Sequence, residues 1–324
     1  MLLVTTLACT APTSDPPPDG PEARFDLRPS AALFDAPFPS LHRQEAGGLR
    51  ADDWPNPSNV PWVASLVDAS REVDGAGTTS GVMFSFREPV TLREVDPASS
   101  LLPDAPAFLV ALDDGERVPI DLYQDPTGGP YGAANLVTLL PLQGVPLRPH
   151  TLYAAVLRTD LGLDAPLGVP EDLQRLRRHE RPAGVSSDVA AAYSAALELI
   201  GDDVPVAALA VFATADPTAD FLDFVEDARA RPAPTPLSPL TWLETHDAFC
   251  VYETTVEMPS YQSGEPPFLT EGGTWRRDEQ GHPVVQRTEL ARLFVTLPRS
   301  PMPAGGWPVA FMVRTGGGGD LPLI

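Results

Sequence analysis

Thirty-nine prolines in 324 residues constrain this chain more than any other feature. Proline locks φ near one value and has no N–H to donate, so it is excluded from helix interiors and from central strand positions. The expectation is short elements, many turns, and strands that begin or end at proline. A core is still possible in this frame. Hydrophobic residues make up 43% of the chain, too many for a disordered polymer. The length suggests roughly two domains at about 150 residues each.

Charge narrows the partners. The formal net charge is −22, and all 22 basic residues are arginine. Such a surface repels phosphate backbones and anionic membranes, so nucleic acid is excluded as an expected partner. Two cysteines, Cys9 and Cys250, cannot build a disulfide framework. Cys250 lies within an apolar strand-like segment and reads as a small buried hydrophobe.

The chain opens "MLLVTTLACTAPTSDPPPDG". The apolar run is too short to span a bilayer. It ends in a small residue and a cysteine, followed by a polar, proline-rich tether. This order resembles the end of a bacterial lipoprotein signal peptide, with Ala8 directly before Cys9. The resemblance implies lipid attachment at Cys9 and a cell-envelope location; plain secretion is the alternative. A basic n-region is missing, so the true start is expected upstream if the match holds. Any membrane association would run through that anchor, since no segment approaches 18 uninterrupted apolar residues.

Composition divides the rest. Residues 1–24 read as leader and linker, and 25–78 as an irregular arm held by Phe and Trp anchors, with a short helix within 60–75. Residues 79–162 read as a β-sandwich. In "GVMFSFREPV", Val82, Phe84 and Phe86 share one face. "PAFLVALDDGERVPIDLYQ" reads as a hairpin turning at Asp113-Asp114-Gly115, whose aspartates are turn residues rather than calcium ligands. Strands follow at 135–141 and 151–159. Residues 163–231 hold helices and one strand. Pro170 and its acids open the first helix. Ser186 or Ser187 caps the second and Gly201 stops it. A strand over 207–214, a turn at Asp216-Pro217 and a helix over 218–229 complete the block. "PAPTPLSP" marks a linker over 232–246. Strands are expected at 247–261 and 290–300, paired antiparallel, and at 307–319.

Several of these pieces together carry a family resemblance. "PFPS", "VDGAGTTSGVMFSF", "HTLYAAVL" and "LAVFATADPT" precede the strand reached through "PAGGWPV" and its run of four glycines. The order over residues 25–324 resembles bacterial surface lipases and esterases, in which an Ig-like β domain precedes an α/β-hydrolase. The resemblance implies a mixed fold: an Ig-like β-sandwich with helical segments, then the first strands of an incomplete α/β-hydrolase over 247–324. It also implies that backbone N–H groups at Thr315, Gly316 and Gly317 form part of an oxyanion hole. Arg314-Thr315 stands where that family often carries His-Gly. The implied partner is a small ester or lipid, with no cofactor.

The nucleophile is not in this sequence. Acyl transfer on this fold needs G-x-S-x-G and then an acid and a histidine. "GTTSG" (77–81) has shifted spacing, and "GVSSD" (184–188) reads as a helix cap. No catalytic residue is therefore assigned, and the triad is expected beyond Ile324, so the chain as it stands is expected to be inactive. The histidines, His42, His150, His179, His246 and His282, are dispersed without zinc spacing and read as surface or turn residues. His246-Asp247, adjacent on an extended segment, would point to opposite faces, which argues against a base and its orienter. Gly316 to Gly319 lack the Lys-Ser/Thr of a phosphate loop and meet Asp320 instead. The competing reading is a non-enzymatic surface lipoprotein whose Ig-like domain binds or spaces something. Substrate and oligomeric state are left open by the sequence.

Overall fold

The computed structural model describes residues 18–45, 48–268 and 272–312. It is a β-rich fold with small helices, divided into two compact units, Met1–Pro217 and Thr218–Ile324.

In the first unit, β1 (Gln44–Glu45) and β2 (Gly48–Leu49) form a minimal hairpin within the arm. A three-stranded antiparallel sheet follows the order β3 (Val82–Ser85), β7 (Leu136–Pro141), β6 (Ile120–Asp125). A four-stranded antiparallel sheet follows the order β5 (Arg117–Val118), β4 (Ala107–Ala111), β8 (Leu152–Arg158), β9 (Val206–Ala213). Helix α1 (Pro61–Ser70) lies in the arm; α2 (Glu171–Arg177) and α3 (Ser187–Ile200) come between β8 and β9.

The period-2 geometry of strands explains the layering. Val82, Phe84, Val137 and Leu139 share one core with Leu109, Tyr153, Ala155 and Phe212 from the four-stranded sheet. The alternate residues Phe108, Val110, Val156, Leu209 and Val211 pack instead with Leu173, Leu176, Tyr193 and Leu197 of α2 and α3. The four-stranded sheet is therefore buried on both faces, which is why AFLVA, LYAAVLR and VAALAVFA are nearly unbroken apolar runs. The expected face of Val82, Phe84 and Phe86 is buried at 0%, 0% and 2% exposure.

The hairpin at Asp113-Asp114-Gly115 forms, with Gly115 at φ +76° and the Asp114 carboxylate accepting the Glu116 N–H at 2.9 Å. Its second arm then divides. Val118 pairs with β4, whereas Ile120 onward pairs with β7 in the other sheet. Pro119 stands at the crossing, where a residue without an N–H interrupts a ladder most easily. The four-stranded sheet also takes in β9, which pairs with β8 from Leu152↔Ala213 to Arg158↔Val206, beyond the 79–162 bounds expected of the β domain.

The arm is bound to this body. Phe25, Leu27 and Ala36 enter the core beneath α3, while Leu33, Phe38, Leu49 and Ala51 form a separate cluster with Phe34 and Trp54 against it. Gln44 supplies a further tie: its amide NH2 donates to the Ala213 carbonyl at 2.7 Å and its oxygen accepts the Ala213 N–H at 2.9 Å.

The second unit holds α4 (Ala219–Ala230) and an antiparallel sheet of β10 (Thr241–Thr245), β11 (Phe249–Ser260) and β12 (Arg287–Pro298). The expected antiparallel pairing is continuous from Phe249↔Pro298 to Ser260↔Arg287. Phe224 of α4 packs on Tyr261 and Trp275, with ring centroids 5.0 and 4.6 Å apart. That packing assigns α4 to the second unit. The break between units consequently falls at Pro217/Thr218, and β10 lies inside the proline-rich stretch 232–246. Residues 307–312, expected to open a third strand, have no strand structure. An α/β-hydrolase sheet is thus not formed among the described residues. Cys250 is half-buried, its Sγ 3.8 Å from the Thr245 hydroxyl, rather than fully enclosed.

Candidate functional site

The residues singled out by resemblance, Cys9, Thr315, Gly316 and Gly317, lie outside the described residues. Among the described residues, two places in the first unit gather chemistry.

The first is a buried polar network where the arm meets α3. Ser40 Oγ lies 2.9 Å from His42 Nδ1 and 2.7 Å from the Tyr193 hydroxyl. Burial pushes the His42 imidazole down to about 4, reinforced by the charges of Arg43 and Arg50 and opposed by Asp26 and Asp53. Burial pushes the Tyr193 phenol up to about 12, against the hydrogen bond with Ser40. Both rings are therefore neutral at neutral pH. His42 Nε2 has no hydrogen-bond partner. Next to it, Arg43 is fully buried; it donates to Asp53 at 2.8 and 3.0 Å and to the Ala31 carbonyl at 2.6 Å. Burial works against the Asp53 carboxylate, but hydrogen bonds and charge from Arg43, with the Leu33 N–H, outweigh it and hold its pKa below the ordinary value.

A serine hydrogen-bonded to a histidine invites a catalytic reading, and the geometry refuses it. Ser40 is 0% exposed, so no substrate carbonyl reaches its oxygen. The network is a fastening: it joins an extended arm to a helix through a polar group satisfied on both sides. His42 thus differs from the surface position expected of it, whereas His150, His179, His246 and His282 are exposed. Its burial was hidden in sequence because its partner Ser40 is enclosed by Tyr193, 153 residues further along the chain from Ser40.

The second place is a cleft of about 290 Å³ lined by Phe38, Leu49, Trp54, Met83 and Leu140, together with Ala76, Gly77, Ser80, Gly81 and Thr138. Trp54 stands edge-on to Phe34 and Phe38, with centroids 5.9 and 5.8 Å away, so its ring is braced from two sides. Two glycines shape the other wall. A Cβ on Gly77 would fall 2.5 Å from Ser80 Oγ, and one on Gly81 would fall 2.7 Å from Thr138 Cγ2 and 2.8 Å from Leu140 Cδ2. The "GTTSG" stretch is therefore a close-packed turn at a cleft wall rather than a nucleophile elbow. The "GVSSD" stretch is a cap, as expected: Ser186 Oγ accepts the Val189 N–H at 3.3 Å, and α3 ends at Gly201 with φ +100°.

Among the described residues no group of three His, Cys, Asp or Glu side chains could hold a metal ion, and no helix is long and apolar enough to cross a membrane. No family model, curated protein or solved structure matches the chain.

Proposed function

We propose that this chain supplies the N-terminal portion of a secreted or lipid-anchored ester hydrolase, lipase- or esterase-like, whose nucleophile, acid and histidine reside outside the sequence given. The observation that carries this reading is the open edge of the second unit's last strand and the exposed apolar run just beyond it. β12 runs for twelve residues with β11 on one side and no ladder on the other among the described residues. Past its end, Val309, Phe311 and Met312 are 92%, 81% and 64% exposed. An open strand edge and an uncovered apolar run are each surfaces that further sheet strands would cover. In the proposed enzyme those strands would carry the serine, and backbone N–H groups of Thr315, Gly316 and Gly317 would contribute to the oxyanion hole. Cys9 would carry the lipid.

The test is the reading frame beyond Ile324. A G-x-S-x-G segment followed by an acid and a histidine is expected. The whole encoded protein should hydrolyse p-nitrophenyl butyrate and lose that activity when the elbow serine is changed to alanine. A frame without these residues, or turnover that survives the alanine change, overturns the reading.

A non-enzymatic surface lipoprotein with a binding or spacer domain is the second reading. It is favoured by the apolar cleft, which belongs to the first unit alone. Ligand binding by the whole encoded protein without ester turnover would support it.

A further inference from the structure

We infer that the cleft beside Trp54 is a binding site for a neutral, mainly aliphatic molecule of about ten non-hydrogen atoms carrying one hydrogen-bonding group. The size follows from the volume: about 290 Å³ corresponds to about ten groups the size of a water molecule, at the lower end of small-molecule sites. The class follows from the lining. In a chain with net charge −22, no charged side chain lines the cleft. A carboxylate or ammonium entering it would lose water without gaining a counter-charge. Apolar contact comes from Phe38, Leu49, Trp54, Met83 and Leu140.

Polar contact comes from two hydroxyls. Neither Ser80 Oγ nor Thr138 Oγ1 hydrogen-bonds to any described protein group, while the Ser80 main-chain N–H is occupied by the Gly77 carbonyl at 3.0 Å. Each hydroxyl is thus free to donate to an ester carbonyl or an alcohol oxygen. The two glycines let the turn approach β7 closely: a Cβ on Gly77 would meet Ser80 Oγ, and one on Gly81 would meet the Thr138 methyl and Leu140 Cδ2. Trp54, braced by Phe34 and Phe38, gives the opposite wall a rigid aromatic face. Because the site lies wholly in the first unit, it does not depend on the ester-hydrolase reading.

The experiment uses the full chain and methyl octanoate as the probe, with binding read by isothermal titration and by tryptophan fluorescence. Saturable binding is expected, with octanoate weaker by about tenfold because its charge must be stripped of water. Ser80→Phe, at an exposed position on the cleft, should weaken methyl octanoate by about tenfold or more while leaving the circular dichroism spectrum unchanged. Leu140→Trp is the second blocking variant should Ser80→Phe disturb the fold. Trp54→Phe should remove the fluorescence response. Absence of saturable binding, equal affinity for octanoate, or unchanged affinity in a folded blocking variant overturns the proposal. Self-association that disappears in Ser80→Phe, without methyl octanoate binding, would mean that a second copy fills the cleft and would also overturn it.

Discussion

At the scale of single residues, the arm is held by groups whose protonation matters. His42 is neutral in the folded chain, with its pKa lowered to about 4 from an ordinary value of 6.5. The unfolded chain therefore takes up the proton first. Its contribution to stability is complete above the unfolded value and is lost as pH falls toward the folded one. The loss between pH ~6.5 and ~4 is about 3 kcal/mol in all. Denaturant unfolding at a series of pH values should show this slope, and His42→Gln should flatten it across that window. Arg50, Arg43, Asp26 and Asp53 all bear on the same imidazole, so the curve reports the local charge set and not the ring alone. Sequence reasoning could not find this network. Ser40, His42 and Tyr193 are unremarkable by type and spacing, and only the return of α3 against the arm brings them together.

At the scale of elements, sequence was informative where local chemistry decides. The Ser186 cap, the Gly201 stop and the Asp113-Asp114-Gly115 turn were legible because each is settled within four or five residues. Ser186→Ala should cost about 1 kcal/mol, read as a lower denaturation midpoint with an unchanged slope. Strand positions were legible for the same reason: alternation and unbroken apolar runs mark one or two buried faces. Strand partnership was not. The crossing at Pro119 and the pairing of β9 with β8 depend on which face each strand offers to a distant neighbour. The cleft was equally hidden, since Trp54 in the arm, Ser80 in a turn and Thr138 in β7 share no sequence pattern. The expected strand over 307–319 shows the converse: an apolar run has strand propensity, but without a ladder partner residues 307–312 do not adopt it.

At the scale of the molecule, the two units differ in how much they bury. In the first, two apolar clusters cover both faces of a four-stranded sheet. In the second, Phe224, Val251 and Thr254 are the buried side chains among the described residues. Stability follows buried apolar area, so the units should melt separately, the second at the lower temperature. Calorimetry should resolve two transitions, and the first should coincide with proteolytic cleavage at or beyond Thr218. A single transition would contradict this. Gln44 bears on a different whole-molecule property. Its amide engages both polar groups of Ala213 on the outer strand β9, where Ala76 also pairs, its N–H donating to the Ala213 carbonyl at 2.9 Å and its carbonyl accepting the Ala215 N–H at 2.8 Å; together they cover the end at which a foreign strand would begin to add. One side chain and one backbone residue of the arm thereby stand in for a neighbouring strand. Gln44→Ala should let the chain assemble with rising concentration, seen as a shift to heavier species in sedimentation velocity. Because His42 is anchored two residues earlier, mild acid should loosen that seal as well. Acidification then becomes a trigger for intermolecular strand exchange, and the colloidal fate of the protein is set by the same few residues that fasten its arm.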